Sequence, residues 1–232
     1  VTIRDLDLAP GRLPGWIERF AADHGTGGRI EATADAGALV LTGSDAVVAR
    51  LRGWFPLAAG PTGAIGPVPD IPGPLLAELT RGPDHVGLVL LRRGGYAIGL
   101  ARGGRLVAHK CGTRYVQGRT AAGGQSQQRF ARRRGNQADA LVEAAAGHAE
   151  RILAPLLEPR GLDLGGAPGA GLVLGGDRIL LEQLFAGRAL ARLRKLPTRE
   201  FPDVTNPRYV VLEQTLTRAR SVAVRIEHPD AR

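Results

Sequence analysis

The twenty-five residues from Lys110 to Arg134, KCGTRYVQGRTAAGGQSQQRFARRR, hold seven cations, no acid, and the tripeptide Gly123-Gly124-Gln125 near their centre. Two adjacent glycines open backbone torsions barred to other residues. The glutamine amide that follows both donates and accepts hydrogen bonds, so it can hold a water molecule without ionising. Gln127, two residues on, offers the same chemistry. An uncharged tip on a cationic stem is suited to entering RNA.

Arginine count alone is a weak argument, because Ala, Gly, Arg, Leu and Val dominate the chain and only Lys110 and Lys195 are lysines. The distribution of charge carries more weight. From His85 to Ala138 there is no Asp or Glu, and eleven Arg or Lys occur; removing them from the net +9 leaves −2 for the remainder. Such concentration is the footprint of a polyanion-binding face. Within it Lys110, Arg114, Arg119, Arg129, Arg132, Arg133 and Arg134 are the candidate phosphate contacts, with Tyr115 placed to stack on a base.

Other chemistries are poorly supplied. A single cysteine, Cys111, excludes an internal disulfide framework and a cysteine-rich zinc site. His85, His109, His148 and His228 are scattered without zinc-type spacing. Asp139 and Glu143 share a helical face but read as solvated surface, and no metal or other cofactor is expected. Gly124-Gln125-Ser126-Gln127-Gln128 lacks the second glycine of a hydrolase elbow, and GAPGAG, near residue 168, lacks the order of a dinucleotide fingerprint. No apolar run reaches the length of about 18 residues needed to span a bilayer, and VTIRDLDLAP lacks the pattern of an export signal. A cytoplasmic location away from membranes is expected.

The elements that must position the tip follow from periodicity. Trp16, Ile17 and Phe20 predict a helix ending at His24-Gly25. Two alternating runs around Asp35-Ala36-Gly37 predict a hairpin, and Ser44-Asp45 predicts a capped helix through Leu51. The segment from Phe55 to Pro74, with six prolines and four glycines, reads as a linker. HVGLVLLRR, GYAIGLAR and RLVAHKCGTRYVQ, separated by Gly-Gly pairs, predict an antiparallel meander. Its third strand delivers the chain to the glycine-rich tip, and a long helix runs from about Ser126 to Leu153. Beyond it come a buried strand over Gly171 to Leu174, a helix capped by Asp177, and a last helix near Asn206-Pro207. The expected organisation is a small N-terminal α+β unit at 1–55, a Pro/Gly-rich linker at 56–74, and at 75–232 an α/β domain with a mixed sheet and packed helices.

Gly-Gly-Gln ending an acid-free strand and opening an arginine-rich helix resembles the catalytic domain of eukaryotic and archaeal peptide-chain release factors. Closer still is the resemblance of His109-Lys110, Arg114-Tyr115, Gly123-Gly124 and Ser126-Gln127 to the release-factor-like domain of the eukaryotic ribosome quality-control peptidyl-tRNA hydrolase and its actinobacterial relatives. The likeness covers roughly Asp84 to Arg220. It implies a ribonuclease H-like α/β fold and a loop that enters the peptidyl-transferase centre of the large ribosomal subunit. There the loop would promote codon-independent ester hydrolysis of peptidyl-tRNA on stalled ribosomes. In that branch a serine separates the glycine pair from the catalytic glutamine, which nominates Gln127; the literal tripeptide nominates Gln125. Gly123 and Gly124 would allow close approach to RNA. Two rivals remain: a nuclease that cuts the tRNA acceptor end, and a non-enzymatic ribosome- or RNA-binding factor that uses only the basic surface.

Overall fold

The computed structural model describes residues 1–57, 64–67, 71, 73–113, 125–157 and 169–230, with the backbone alone at 64–67, 125–136 and 157. The chain divides into two compact units, Val1–Gly82 with Arg220–Arg232, and Pro83–Ala219.

In the first unit, strand β1 (Thr2–Leu8) leads into helix α1 (Leu13–His24), which buries Leu13, Ile17, Phe20 and Ala21. The predicted hairpin forms as β2 (Glu31–Asp35) and β3 (Ala38–Thr42), with Ala36 and Gly37 both at positive φ. The helix expected after Ser44-Asp45 is instead strand β4 (Val48–Arg52), antiparallel to β3. Two local features account for this. Ala46 has φ of 64°, which breaks any right-handed helix. The Asp45 carboxylate accepts from the Val47 N–H two residues on, at 3.1 Å, closing a turn rather than capping a helix. Ala49 and Leu51 then alternate inward as a half-buried strand requires. Within the segment read as a linker, β5 (Ala64–Pro67) pairs with β2 at the sheet edge, where a proline costs no ladder hydrogen bond. Helix α2 (Gly73–Thr80) follows.

The second unit opens with the predicted meander, β6 (His85–Arg92), β7 (Gly95–Arg102) and β8 (Arg105–Thr113). Gly103 and Gly104, both at positive φ, form the two-residue turn between β7 and β8. Helix α3 (Gln125–Ile152) and the short α4 (Ala154–Leu157) lead to β9 (Ala170–Gly176), which runs parallel to β6. Helix α5 (Arg178–Phe185) is capped as predicted, Asp177 Oδ1 accepting from the N–H groups of Ile179 at 3.0 Å and Leu180 at 3.3 Å. Helix α6 (Arg188–Ala191) and a 3-10 turn precede β10 (Thr198–Phe201), parallel to β9. Helix α7 (Tyr209–Ala219) closes the unit.

The five-stranded order is β10-β9-β6-β7-β8, with β7 running opposite to the other four strands. This is the mixed, ribonuclease H-like α/β arrangement implied by the resemblance. One face carries Val89, Leu91, Tyr96, Ile98, Leu172 and Leu174 against α3 and α5. The stripe Leu141, Ala145 and Ala149, fully buried at four-residue spacing and continued by Leu153 just past the helix end, seats α3 there.

The last strand, β11 (Val222–His228), lies between β1 and β4, antiparallel to both, and completes the order β1-β11-β4-β3-β2-β5. The 75–232 segment expected as one domain thus contributes its final residues to the N-terminal sheet. Val222, Val224 and Ile226 alternate into that unit's core, a period-2 signal in the sequence that the reading of a terminal helix overlooked.

Candidate functional site

Splitting the charge by unit sharpens the sequence argument. The first unit holds 10 Lys or Arg against 11 Asp or Glu, a net −1, and the second holds 21 against 11, a net +10. In the first unit, Arg50 meets Asp35 at 3.4 Å and Glu227 at 3.9 Å, and Arg225 meets Asp5 at 2.8 Å. The net positive charge therefore resides in the second unit.

The candidate tip lies between β8 and α3. Gly123, Gly124, Arg114, Tyr115 and Arg119 fall outside the described residues. Helix α3 begins at Gln125, so the glycine pair directly precedes its first turn. Gln125, Gln127, Arg129, Arg132, Arg133 and Arg134 all belong to the α3 backbone. Helical spacing puts position 125 on one face with 129, 132 and 133, the i, i+4, i+7 and i+8 relation. Position 127 is about 200° away around the axis and lines up instead with 134 and the buried Leu141. The two glutamine positions thus lie on opposite sides of the helix.

Lys110, on β8, is exposed and pairs in register with Ile98, whose side chain belongs to the α3-facing core. It shares that face with Tyr96 and Gly112, a registered pair. The Tyr96 ring crosses directly over Gly112, where a Cβ would come within 2.4 Å of it and push the ring aside. On Tyr96 stacks the His148 imidazole of α3, with centroids 5.6 Å apart and planes at 30°. Arg151 Nη2 lies 2.7 Å from His148 Nδ1. Burial, then the nearby charges of Arg151 and Lys110, push the His148 pKa below its ordinary value. The ring is therefore neutral near pH 7, and Nδ1 accepts from the arginine. The acid-free window ends before His148 and Arg151, which is why sequence reading missed them; their place beside Lys110 depends on how α3 crosses β7 and β8.

On the opposite sheet face His109 is exposed and packs on the Tyr209 ring at 4.7 Å, and Tyr209 donates to Glu213 at 2.8 Å. That carboxylate raises the Tyr209 pKa, keeping the phenol protonated. Burial likewise raises the Cys111 thiol, against a smaller opposing effect of Lys110. His109 is a surface packing residue here, and Cys111 is a poor nucleophile. Asp139 and Glu143 are exposed along α3. No group of three His, Cys, Asp or Glu that could hold a metal occurs among the described residues, and no described helix is long and apolar enough to cross a membrane.

A concavity of about 310 Å³ lies where β9 and β10 end, lined by Arg178, Glu182, Arg194 and Glu200 among others. Its charges are of both signs, and Arg178 is already paired with Glu182 at 2.9 Å.

Residues 84–225 match the family described as Actinobacteria/Chloroflexi VLRF1 release factor. Among curated proteins, peptide chain release factor subunit 1 of Thermococcus sibiricus is 31% identical over 115 residues, covering 50% of this chain and 26% of the relative. The corresponding protein of Pyrococcus abyssi is 37% identical over 94 residues, covering 39% and 23%. The chain thus spans about a quarter of the length of these relatives. Among solved structures, the Vms1 mitochondrial localization core superposes with a TM-score of 0.45 at 11% identity, covering 90% of this chain and 81% of that one. An archaeal translation termination factor, aRF1, gives 0.42 at 15% identity, covering 94% and 67%.

Proposed function

The chain belongs to the Actinobacteria/Chloroflexi VLRF1 release factor family, and from that premise we propose that it is a ribosome-associated peptidyl-tRNA hydrolase. It frees nascent chains from stalled ribosomes or split large subunits without reading a codon. The observation that carries this reading is the start of α3 at Gln125, directly after Gly123-Gly124, with an acid-free, arginine-bearing first half.

The bond to be cut is the ester joining peptide to the terminal ribose of tRNA, which is already activated relative to an amide. A water oxygen bonds to the carbonyl carbon, the ester C–O bond breaks, and the ribose oxygen leaves as a hydroxyl after taking a proton. A glutamine amide beside the ester holds and aims that water, and positioning alone supplies a large rate factor. Backbone N–H groups beside the glycines meet the developing oxyanion. Helix first turns present N–H groups with no intrahelical acceptor, which makes this end of α3 suited to the task. Lys110, Arg114, Arg119, Arg129, Arg132, Arg133 and Arg134 neutralise RNA phosphates, and Tyr115 stacks on a base.

Release of labelled peptide from stalled large-subunit complexes tests the reading. Wild type should release peptide and leave the tRNA terminal adenosine intact, and either Gln125→Ala or Gln127→Ala should lower the rate by about 100-fold or more, as expected when a positioned group is removed. A shortened tRNA would identify a nuclease instead. Ribosome binding without release by wild type would leave only a binding factor.

A further inference from the structure

We propose that Lys110, His148 and Arg151 form a second RNA-phosphate site on the second unit, far along α3 from its first turn. The inference rests on the reading of this chain as an RNA-directed factor and deepens it by naming where RNA is gripped.

Three groups from two elements converge there, and what they present to solvent is donors. Arg151 donates to His148 Nδ1 at 2.7 Å. A neutral imidazole accepting at Nδ1 must carry its proton on Nε2, so the ring presents an N–H outward from this pair. Lys110 adds an ammonium, and Arg151 keeps further N–H groups. Among the described residues neither Lys110 nor Arg151 has a carboxylate partner, and Arg151 meets only the uncharged imidazole. Like charges brought together without a counter-ion repel, unless an anion joins them. Asp139, Glu143 and Glu150 do not compensate: all three are exposed and share a helical face, and position 150 is about 200° around the axis from position 148.

The cluster is also pre-organised. Gly112 lets Tyr96 lie across β8, Tyr96 supports His148 by stacking, and the buried neighbours Ala145, Ala149 and Leu153 hold that stretch of α3 on the sheet. A planar guanidinium, an imidazole N–H and a flexible ammonium suit phosphate oxygens rather than a base edge. Position 148 lies 23 residues beyond the start of α3, about 35 Å along the axis at 1.5 Å per residue. An RNA whose end meets the first turn of α3 would be held here along its backbone, so the cluster sets orientation rather than chemistry.

Binding of the full chain to deacylated tRNA and, separately, to large ribosomal subunits should be measured across a salt series for wild type, Arg151→Gln and Lys110→Gln/Arg151→Gln. Both side chains replaced are exposed, and the fold is checked by circular dichroism. The expected result is weaker binding and a logarithmic salt slope reduced by about one for each cation replaced, with the tRNA and subunit arms showing which RNA is held. In parallel, the His148 ring resonances of wild type should shift on adding whichever RNA binds. Unchanged affinity and slope for both RNAs, or a silent His148, would overturn the site. Peptide release by wild type is scored separately: release with unchanged slopes sinks this site alone, and reduced slopes without release sink only the hydrolase reading.

Discussion

Asp45 illustrates how one side chain can stand in for a missing element. Its Oδ1 closes the turn onto Val47, and its Oδ2 lies 2.8 Å from His24 Nδ1, tying the end of α1 to the entry of β4. The hydrogen bond with His24, opposed by burial and aided by the Val47 N–H, holds the Asp45 carboxyl below its ordinary pKa. A group whose folded pKa is depressed contributes stability above its unfolded value, and that contribution fades as pH falls through the folded value. Asp45→Asn should therefore destabilise the protein at pH 7, by less than about 1 kcal/mol because the side chain is 47% exposed. The difference should shrink away as pH drops below about 4. Urea denaturation of both proteins between pH 3 and 7 checks this; a cost that is constant across the range would contradict it. At the tip, the same scale distinguishes the glutamines, since positions 125 and 127 lie on opposite sides of α3 and only one can follow the line of the arginines at 129, 132 and 133.

Among the elements, α5 and β4 show opposite outcomes for the same kind of signal. Asp177 and Asp45 both precede apolar runs, yet only Asp177 caps a helix. Asp177 has an extended backbone (φ −81°, ψ 112°), and its own N–H is held by the Leu91 carbonyl at 2.8 Å, so the chain enters α5 from a fixed point on β6. Asp177→Ala leaves two first-turn N–H groups without their acceptor and should cost about 1 kcal/mol, whereas Asp177→Ser should recover most of it. Equal destabilisation by both replacements, in chemical denaturation, would show that the cap is not the source. Helix α3 was legible because its Leu141, Ala145 and Ala149 repeat is long and regular. The alternation of β4 was equally present, but it is short, and only its neighbours β3 and β11 decide in its favour.

At the scale of the molecule, the chain's two ends meet in one sheet. Strand β11 separates β1 from β4 and places Val222, Val224 and Ile226 in the core with Leu8, Leu39 and Leu51. Truncation after Ala219 should therefore unfold the N-terminal unit while leaving the Pro83–Ala219 unit folded, because the latter has its own core and sheet. Limited proteolysis and amide exchange would report it: rapid cleavage confined to residues before Gly82, with protection retained in β6, β7 and β9. Protection persisting in β3 and β4 would show that the first unit does not need its last strand. The same division separates charge, one unit being nearly neutral and the other of net +10, so the excess positive charge belongs to the unit that the family match chiefly covers.

The amino-acid order alone determined the meander, the long helix, the concentration of positive charge and the Gly-Gly-Gln signature, because each depends on neighbours within a few tens of residues. Periodicity and turn chemistry are local properties, and they are written where they act. Three things were decided only by folding in space. The last strand returns to the first sheet through a pairing more than two hundred residues distant in the chain, which no local pattern encodes. Residues 48–51, expected in a helix, become strand because an open ladder on both sides outweighs a weak capping signal. Arg151 and His148 acquire a purpose only when α3 lays them beside Lys110, since a cluster without counter-charge is a property of distances, and sequence separation does not report those.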